Sequence, residues 1–412
     1  MPLVEPACRF CSAPLAHTFV DLGMSPASNA FLKADQLNGE EPFYPLHAFV
    51  CAECYLVQLR QFQSPQQIFG DYAYFSSYSD TWLEHARSYA AMARERFGLG
   101  SGSLVVEIAS NDGYLLQYFR AAGVPVLGIE PARNVATAAQ AKGIPTLCEF
   151  FGRESAARLA AERRRADLLI GNNVLAHVPD LNDFVAGMKS VLKADGVITL
   201  EFPHLLELIE HVEFDTIYHE HFSYFSLLTA ERVMAAHGLA VFDVETLPTH
   251  GGSLRLYVHH ADDRTHAASS RLEALRARER AAGMDSLRAY SGFDDKVKSL
   301  RRGLVDFLRG VHASGRTVAG YGAPAKGNTL LNYCGIGTDL LPYTVDRSPH
   351  KQGRYLPGSH IPIFPPERIL ETRPDYVLIL PWNIRDEIVA SMADVRKWGG
   401  KFVVPVPTLT TL

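Results

Sequence analysis

The chain has 412 residues, enough for two or three domains at roughly 150 residues each. Its composition, with 47% apolar and 21% charged residues, excludes a disordered or fibrous protein. The net charge of −5 disfavours non-specific binding to nucleic acid. No apolar run approaches the ~20 residues that cross a bilayer, and the first residues lack the basic start and apolar core of a signal peptide. We therefore expect a cytoplasmic protein with neither a nucleic-acid nor a membrane partner.

Two C-x-x-C pairs lie near the N-terminus, at 8–11 and 51–54. Two such turns supply the four thiolates that a tetrahedral structural zinc site accepts. The predicted ligands are Cys8, Cys11, Cys51 and Cys54. The alternative is two unrelated redox or chance pairs, but no thioredoxin-like pattern surrounds either of them. The remaining cysteines, Cys148 and Cys334, have apolar neighbours and are predicted to be buried.

Strands and helices alternate in the middle of the chain. Residues 1–75, rich in Pro, Phe and Tyr, are interpreted as the zinc lobe, and a helix is predicted near 80–98. Further predicted elements are strands at 104–108, 126–130, 167–170 and 196–202, with a helix at 114–122. This alternation predicts a parallel sheet with helices on both faces, so 76–260 is interpreted as a Rossmann-like domain.

The C-terminal part, 261–412, begins with a segment at 266–313 whose Ala, Arg, Leu and Glu content predicts helix. Strands at 317–322, 376–380 and 402–405 and a helix near 384–398 follow. They predict a second Rossmann-like domain. The fold class is therefore α/β, with a small zinc lobe followed by two α/β domains.

A small-residue turn after the first central strand points to a nucleoside cofactor. Glu130 ends the next strand about 20 residues after this turn, where ribose hydroxyls are held in such folds. Ala109 and Asn111 occupy positions where a dinucleotide-binding turn has glycines. The acids and the turn therefore suit the cationic, phosphate-free S-adenosylmethionine better than a dinucleotide, and an ordinary βαβ turn is the alternative. The predicted cofactor-binding residues are Glu107, Ala109, Asn111, Asp112, Gly113, Glu130 and Asn172.

Four further motifs, together with the cysteine pairs, resemble one enzyme family over essentially the whole chain. They lie in order at 107–113, 171–180, 218–224 and 250–255. The chain is similar to sugar C-methyltransferases, whose best-known members methylate nucleotide-linked 4-keto-6-deoxy sugars at C-3. The resemblance implies a zinc domain, a central class I methyltransferase domain that binds S-adenosylmethionine, and a C-terminal Rossmann-like domain. It also implies a role in deoxysugar biosynthesis.

Methylation of a carbon beside a ketone needs a base and donors that stabilise the enolate. The resemblance implies that His221 is the base and that Glu220 orients or polarises it. Tyr218, His177 and Tyr72 would line the sugar and stabilise the oxyanion. The motif at 250–253 implies a close approach to the active site, although its glycines also suit a plain hairpin turn.

A second glycine turn, at 320–328, lies between a strand and a helix and could bind phosphate. Mainly on the resemblance, we assign it to the diphosphate of a sugar nucleotide. The predicted residues are Tyr321, Gly322, Lys326, Asn328, Lys351 and Arg354. Asp346 keeps an NAD site open as an alternative, and a domain without any ligand is another.

Three functions from different classes remain at this point. The first is an S-adenosylmethionine-dependent C-methyltransferase that acts, as a monomer, on a nucleotide-linked keto sugar. The second is a zinc-containing RNA methyltransferase or nucleic-acid-binding protein, which the acidic balance disfavours. The third is an NAD-dependent oxidoreductase.

Overall fold

The computed structural model describes residues 6–69, 76–78 and 80–412, and its strands belong to three sheets. The strands, in chain order, are β1 (His17–Pro26), β2 (Phe43–Val50), β3 (Val57–Leu59), β4 (Val105–Ile108), β5 (Val126–Ile129), β6 (Thr146–Leu147), β7 (Ala166–Asn172), β8 (Leu192–Pro203), β9 (Ser223–Tyr224), β10 (Leu239–Leu247), β11 (Ser253–His260), β12 (Val318–Tyr321), β13 (Thr344–Val345), β14 (Ile363–Phe364), β15 (Tyr376–Ile379), β16 (Lys401–Val404) and β17 (Thr410–Thr411). The helices are α1 (Pro65–Phe69), α2 (Asp80–Arg96), α3 (Leu116–Ala121), α4 (Arg133–Ala141), α5 (Arg153–Ala161), α6 (Leu181–Val191), α7 (Leu205–Glu210), α8 (Leu227–Ala236), α9 (Ser270–Ala281), α10 (Phe293–Ala313), α11 (Ala325–Cys334), α12 (Glu367–Thr372) and α13 (Arg385–Ser391).

The N-terminal sheet is antiparallel, with strand order β1-β2-β3-β9. Its last strand, β9, comes from the middle of the chain, so this lobe is joined to the central domain by backbone hydrogen bonds. On the other side, the ring of Phe19 stacks on Phe293 of α10 with centroids 4.5 Å apart. The lobe therefore shares its hydrophobic core with the C-terminal half of the protein.

The central sheet has the order β10-β11-β8-β7-β4-β5-β6. From β8 to β6 all neighbours are parallel, while β11 pairs antiparallel with both β8 and β10. All four residues of β4 are buried, as expected for a strand covered on both faces. The chain leaves β4 in one direction to β5 and β6, and later returns beside it at β7. This reversal opens a crevice at the carboxyl ends of β4 and β7.

The C-terminal sheet is also doubly wound. Its strand order is β14-β13-β12-β15-β16-β17, and β12 lies between β13 and β15. The preceding helical segment is divided into α9 and α10 with a short 3₁₀ turn between them. Gly283 and Gly292, both with φ near +80°, interrupt the helix there. The segment 266–313, predicted to be helical, therefore contains two helices.

Of the two remaining cysteines, Cys334 is buried as predicted, but Cys148 is exposed. The prediction for Cys148 was wrong because this residue follows β6, at the edge of the central sheet. Within the described part of the chain, none of the helices combines the length and the apolar character needed to cross a membrane.

Candidate active site

The four N-terminal thiols converge on one point. All four Sγ atoms lie within 4.8 Å of one another. The distances are 3.6 Å for Cys8–Cys54, 3.5 Å for Cys11–Cys51 and 3.7 Å for Cys11–Cys54. A tetrahedron with Zn–S bonds of about 2.3 Å has edges of about 3.8 Å, so the residues fit zinc. Four protein ligands leave no open position, which makes the site structural.

The two cysteine pairs adopt the same local turn. Ser12 and Tyr55 follow the pairs with φ of 63° and 62°. Their N–H groups donate to the carbonyl oxygens of Cys8 and Cys51 at 2.9 and 3.0 Å. In addition, Nε2 of Gln58 donates to Sγ of Cys8 at 3.1 Å, which suits a thiolate ligand.

The zinc lobe is also tied to the central domain. Arg9, between the first two cysteines, donates from Nη1 to the carbonyl oxygen of Pro179 at 2.9 Å. Its guanidinium lies 5.3 Å from the ring centroid of Phe222. Arg9 therefore touches both segments that carry the predicted histidines, His177 and His221.

The predicted cofactor turn follows β4. Ala109, Asn111 and Gly113 all have positive φ, of 55°, 50° and 78°. The Glu130 carboxylate accepts hydrogen bonds from the N–H groups of Asn111 at 3.0 Å and Ala132 at 2.9 Å. The acid at the end of β5 thus lies directly against the turn, as the spacing predicted.

Two carboxylates are buried beside this turn. Burial and the nearby Glu130 raise the pKa of Glu107 well above its ordinary value, although a hydrogen bond from Tyr114 acts against this. Burial also raises the pKa of Glu130. At the end of β7, Oδ1 of Asn172 is buried and has no hydrogen-bond partner among the described residues. Two acids and an unpaired acceptor fit a cationic ligand and would repel a diphosphate.

Two of the residues predicted to bind the cofactor, Asp112 and Gly113, also contact other residues of the protein. Oδ2 of Asp112 accepts from Nζ of Lys142 at 2.8 Å. A Cβ atom at Gly113 would lie 2.8 Å from the side chain of Ile144. The positive φ and the packing against Ile144 therefore both require glycine at position 113.

The predicted catalytic histidines meet across two loops. The N–H of Phe222 donates to the carbonyl of Ala176 at 2.7 Å, and Nδ1 of His177 donates to the carbonyl of Glu220 at 2.8 Å. These bonds hold the rings of His177 and His221 with centroids 4.7 Å apart.

His221 is oriented by the backbone. Its Nδ1 lies 2.9 Å from the carbonyl oxygen of Thr216. A carbonyl can only accept, so Nδ1 carries the proton and Nε2 the lone pair. Burial and the neighbouring His177 lower the pKa of His221 well below its ordinary value, and burial lowers that of His177 to about 4. Both rings are neutral at pH 7, and the Tyr218 ring centroid lies 4.1 Å from that of His221.

The expectation that Glu220 orients His221 is not what the structure shows. Oε1 of Glu220 accepts from Nδ2 of Asn29 in the N-terminal lobe at 2.6 Å. The partner of this carboxylate is therefore Asn29, and the carbonyl of Thr216 takes the orienting role. Burial raises the pKa of Glu220 to about 7. Tyr72 lies outside the described residues.

The motif at 250–253 forms a tight turn that contacts the C-terminal domain. His250, Gly251 and Gly252 have φ of 58°, 101° and 141°. A Cβ at Gly251 would lie 2.4 Å from Oε1 of Glu213 and 2.7 Å from the Trp382 ring. The His250 ring centroid is 5.7 Å from that of Trp82. The glycines thus allow a close approach of the two domains.

The second glycine turn uses its own backbone donors. The N–H of Gly322 donates to the carbonyl oxygen of Val345 at 2.6 Å, and that of Ala323 donates to Oδ2 of Asp346 at 2.7 Å. A Cβ at Gly322 would lie 2.4 Å from Pro381. These two N–H groups are therefore satisfied within the protein, and Asp346 supports the turn.

The six residues predicted to bind diphosphate have different partners. Tyr321 is buried in the core of the C-terminal domain, and Nδ2 of Asn328 donates to the carbonyl of Ser28 at 2.6 Å. Lys351 donates to the carbonyl of Ala323 at 2.9 Å, and Nε of Arg354 to that of His350 at 3.2 Å.

Lys326 lies at the boundary with the central domain, beside residues that the sequence did not single out. Its Nζ donates to Oδ1 of Asn383 at 2.8 Å and lies 4.3 Å from the Trp382 ring centroid. The Trp382 Nε1–H in turn donates to Oδ2 of Asp215 at 2.7 Å. Trp382 and Asn383 follow β15 at the switch point of the sheet, a position that could have marked them from sequence.

The class of protein is a methyltransferase, whose domain here is doubly wound, has an acidic turn after β4 and is joined to a zinc lobe. Family models match three successive parts of the chain: a zinc binding domain at 8–69, a methyltransferase domain at 82–244 and a C-methyltransferase C-terminal domain at 248–407. C-methyltransferase NovU of Streptomyces niveus is 38% identical over 400 residues, which cover 97% of this chain and 95% of NovU. The chain belongs to this C-methyltransferase family and is an S-adenosylmethionine-dependent enzyme with a structural zinc site.

Solved structures also match part of the chain. Magnesium protoporphyrin IX methyltransferase from Synechocystis PCC 6803, with bound SAM, is 16% identical over 47% of this chain and 88% of its own, with a TM-score of 0.34. The PH0226 protein from Pyrococcus horikoshii OT3 is 13% identical over 48% of this chain and 99% of its own, with a TM-score of 0.36.

Proposed function

We propose that the enzyme methylates a nucleotide-linked 4-keto deoxy sugar at C-3 and that His221 is the base. The observation that carries this proposal is the fixed tautomer of His221. Its Nδ1–H is held by Thr216 at 2.9 Å, so the lone pair of Nε2 is left to accept a proton. A neutral, partly buried imidazole at the end of a methyltransferase sheet suits the removal of a proton α to a ketone.

In the proposed reaction, Nε2 of His221 takes the C-3 proton. The C–H electron pair moves into the C-3–C-4 bond, and the carbonyl electrons move onto the C-4 oxygen. S-adenosylmethionine, when bound, supplies an electrophilic methyl group. Tyr218 and His177 lie against His221, with ring centroids at 4.1 and 4.7 Å, and would line the sugar. Burial raises the pKa of Glu220 to about 7. This residue would contribute charge or a proton to the site instead of orienting the base.

For S-adenosylmethionine, we propose that Glu130 binds the ribose hydroxyls and that the cationic sulfonium and amino groups lie near Glu107. The turn at 109–113 would approach the adenosine, and Asn172 has an unpaired buried acceptor to offer. The diphosphate of the sugar nucleotide is assigned to Lys351 and Arg354. A monomeric enzyme in the cytoplasm remains our expectation.

Proton exchange tests the proposal without methyl transfer. The parent enzyme, with S-adenosylhomocysteine bound, should exchange the C-3 proton of a 4-keto sugar nucleotide with deuterium from solvent. His221→Asn should slow this exchange by ~10²–10⁴-fold, the usual contribution of a general base, and should still bind S-adenosylhomocysteine. His260→Asn, at the far end of β11, is the matched control. If His221→Asn exchanges as fast as the parent, another residue is the base.

A further inference from the structure

The ammonium of Lys326 has few partners for a charged group at a domain boundary. Within the part of the chain that the structure describes, its Nζ makes one hydrogen bond, to Asn383 at 2.8 Å, and lies 4.3 Å from the Trp382 ring centroid. Among the described residues, Nζ forms no ion pair with Asp215 or Glu213, whose charges act on it without direct contact. An ammonium has three N–H donors, so donors remain for a ligand.

The same short turn positions both Lys326 and the proposed base. Asp215 lies in the 3₁₀ turn Phe214–Thr216, and its Oδ2 holds the Trp382 indole at 2.7 Å. The next residue, Thr216, holds Nδ1 of His221 at 2.9 Å. The turn therefore holds two rings: the Trp382 indole, beside which the Lys326 ammonium lies, and the His221 imidazole.

The charges around Lys326 suit a single oxyanion better than a diphosphate. Glu213 and Asp215 are both buried, and Oδ1 of Asp215 has no hydrogen-bond partner among the described residues. Their charges raise the pKa of Lys326, although burial lowers it more strongly. The charge of Lys326 also lowers the pKa of His221. A single ammonium beside the base can balance one developing negative charge, whereas the diphosphate of a sugar nucleotide carries more than one.

We propose that Lys326 is a further catalytic residue, which donates a hydrogen bond to the C-4 oxygen of the keto sugar as the enolate forms. This inference rests on the proposed function. As the C-3 proton passes to His221, the negative charge on the C-4 oxygen is met by a Lys326 N–H. No proton needs to leave Lys326, and the ketone re-forms when C-3 uses its electron pair.

Lys326→Met keeps an unbranched aliphatic side chain beside Trp382 and removes the donor. With S-adenosylhomocysteine bound and saturating keto sugar nucleotide, we expect deuterium exchange at C-3 to slow by ~10²–10³-fold, as for loss of one oxyanion donor. The affinity for dTDP, measured by calorimetry, should not change. Lys401→Met, an exposed lysine of the same domain, is the matched control.

Two results would overturn the inference. One is exchange by Lys326→Met at the parent rate. The other is a loss of dTDP affinity with normal exchange from the bound sugar, which would make Lys326 a phosphate anchor. Lys326→Leu, which also lacks a donor, serves if the Met variant does not fold, and should be slowed similarly. If the parent enzyme exchanges no keto sugar nucleotide, the proposed function fails and this inference fails with it.

Discussion

Glu213 makes the stability of the protein depend on pH in an unusual direction. This buried acid lies at the domain boundary, 3% exposed. Burial and the neighbouring Asp215 raise its pKa from about 4.5 to about 8, against the opposing charge of Lys326. A carboxyl whose pKa is higher in the folded state stabilises the fold below its unfolded pKa. That stability is lost as the pH rises through the folded pKa.

Each unit of this shift corresponds to about 1.4 kcal/mol. Relative to the parent, Glu213→Gln should therefore gain up to about 4 kcal/mol of unfolding free energy between pH 5 and pH 8.5. Any cost of burying the amide is the same at both values and cancels in this comparison. The unfolding free energy of Glu213→Gln minus that of the parent should therefore increase as the pH rises.

Thermal or urea unfolding of the zinc-loaded protein at pH 5 and pH 8.5 measures this difference. Glu154→Gln, an exposed glutamate of α5, is the control and should show no such growth. If the stability difference between Glu213→Gln and the parent is the same at both pH values, Glu213 is ionised normally. The electrostatic account of the domain boundary would then be wrong.

Three further outcomes follow from individual contacts. Metal analysis should find one zinc per chain, and Cys51→Ser should lose zinc and fold poorly because structural zinc contributes folding free energy; stoichiometric zinc in this variant would contradict the ligand set. Glu130→Ala should weaken binding of S-adenosylhomocysteine in calorimetry by ~1.5–3 kcal/mol for each charge-assisted hydrogen bond lost; an unchanged affinity would remove Glu130 from the site. Asn29→Leu removes the donor to Glu220 and should raise the pKa of Glu220 above about 7; a pH profile of proton exchange with its acid limb moved to higher pH is the expected result, and an unmoved limb would show that the ionisation of Glu220 does not matter.

The parts of the site that depend on local geometry could be predicted from the sequence. The C-x-x-C pairs close identical turns, and a strand, a turn and an acid about 20 residues later place Glu130 beside the 109–113 turn. The strands at 104–108 and 126–130 were placed within one residue of β4 and β5. Short-range rules suffice where the chain itself supplies the neighbouring group.

The directions of individual side chains depended on distant partners. Glu220 is adjacent to His221 in sequence, but its carboxylate is held by Asn29, 191 positions away. Lys326 lies at a helix start, where the rule for phosphate binding applies, yet Trp382 and Asn383 hold it at the domain boundary. The hairpin β10–β11 was also missed, because its antiparallel pairing with β8 has no counterpart in a βα alternation.

The central claim is carbon methylation beside a ketone. The most direct test incubates the enzyme with ¹³C-methyl S-adenosylmethionine and a panel of dTDP-, CDP- and GDP-linked 4-keto-6-deoxy sugars, followed by carbon NMR of the product. The account predicts a labelled methyl group bonded to C-3, with the C-3 proton replaced by the new bond. A label on oxygen or nitrogen, or on no sugar nucleotide in the panel, would contradict it.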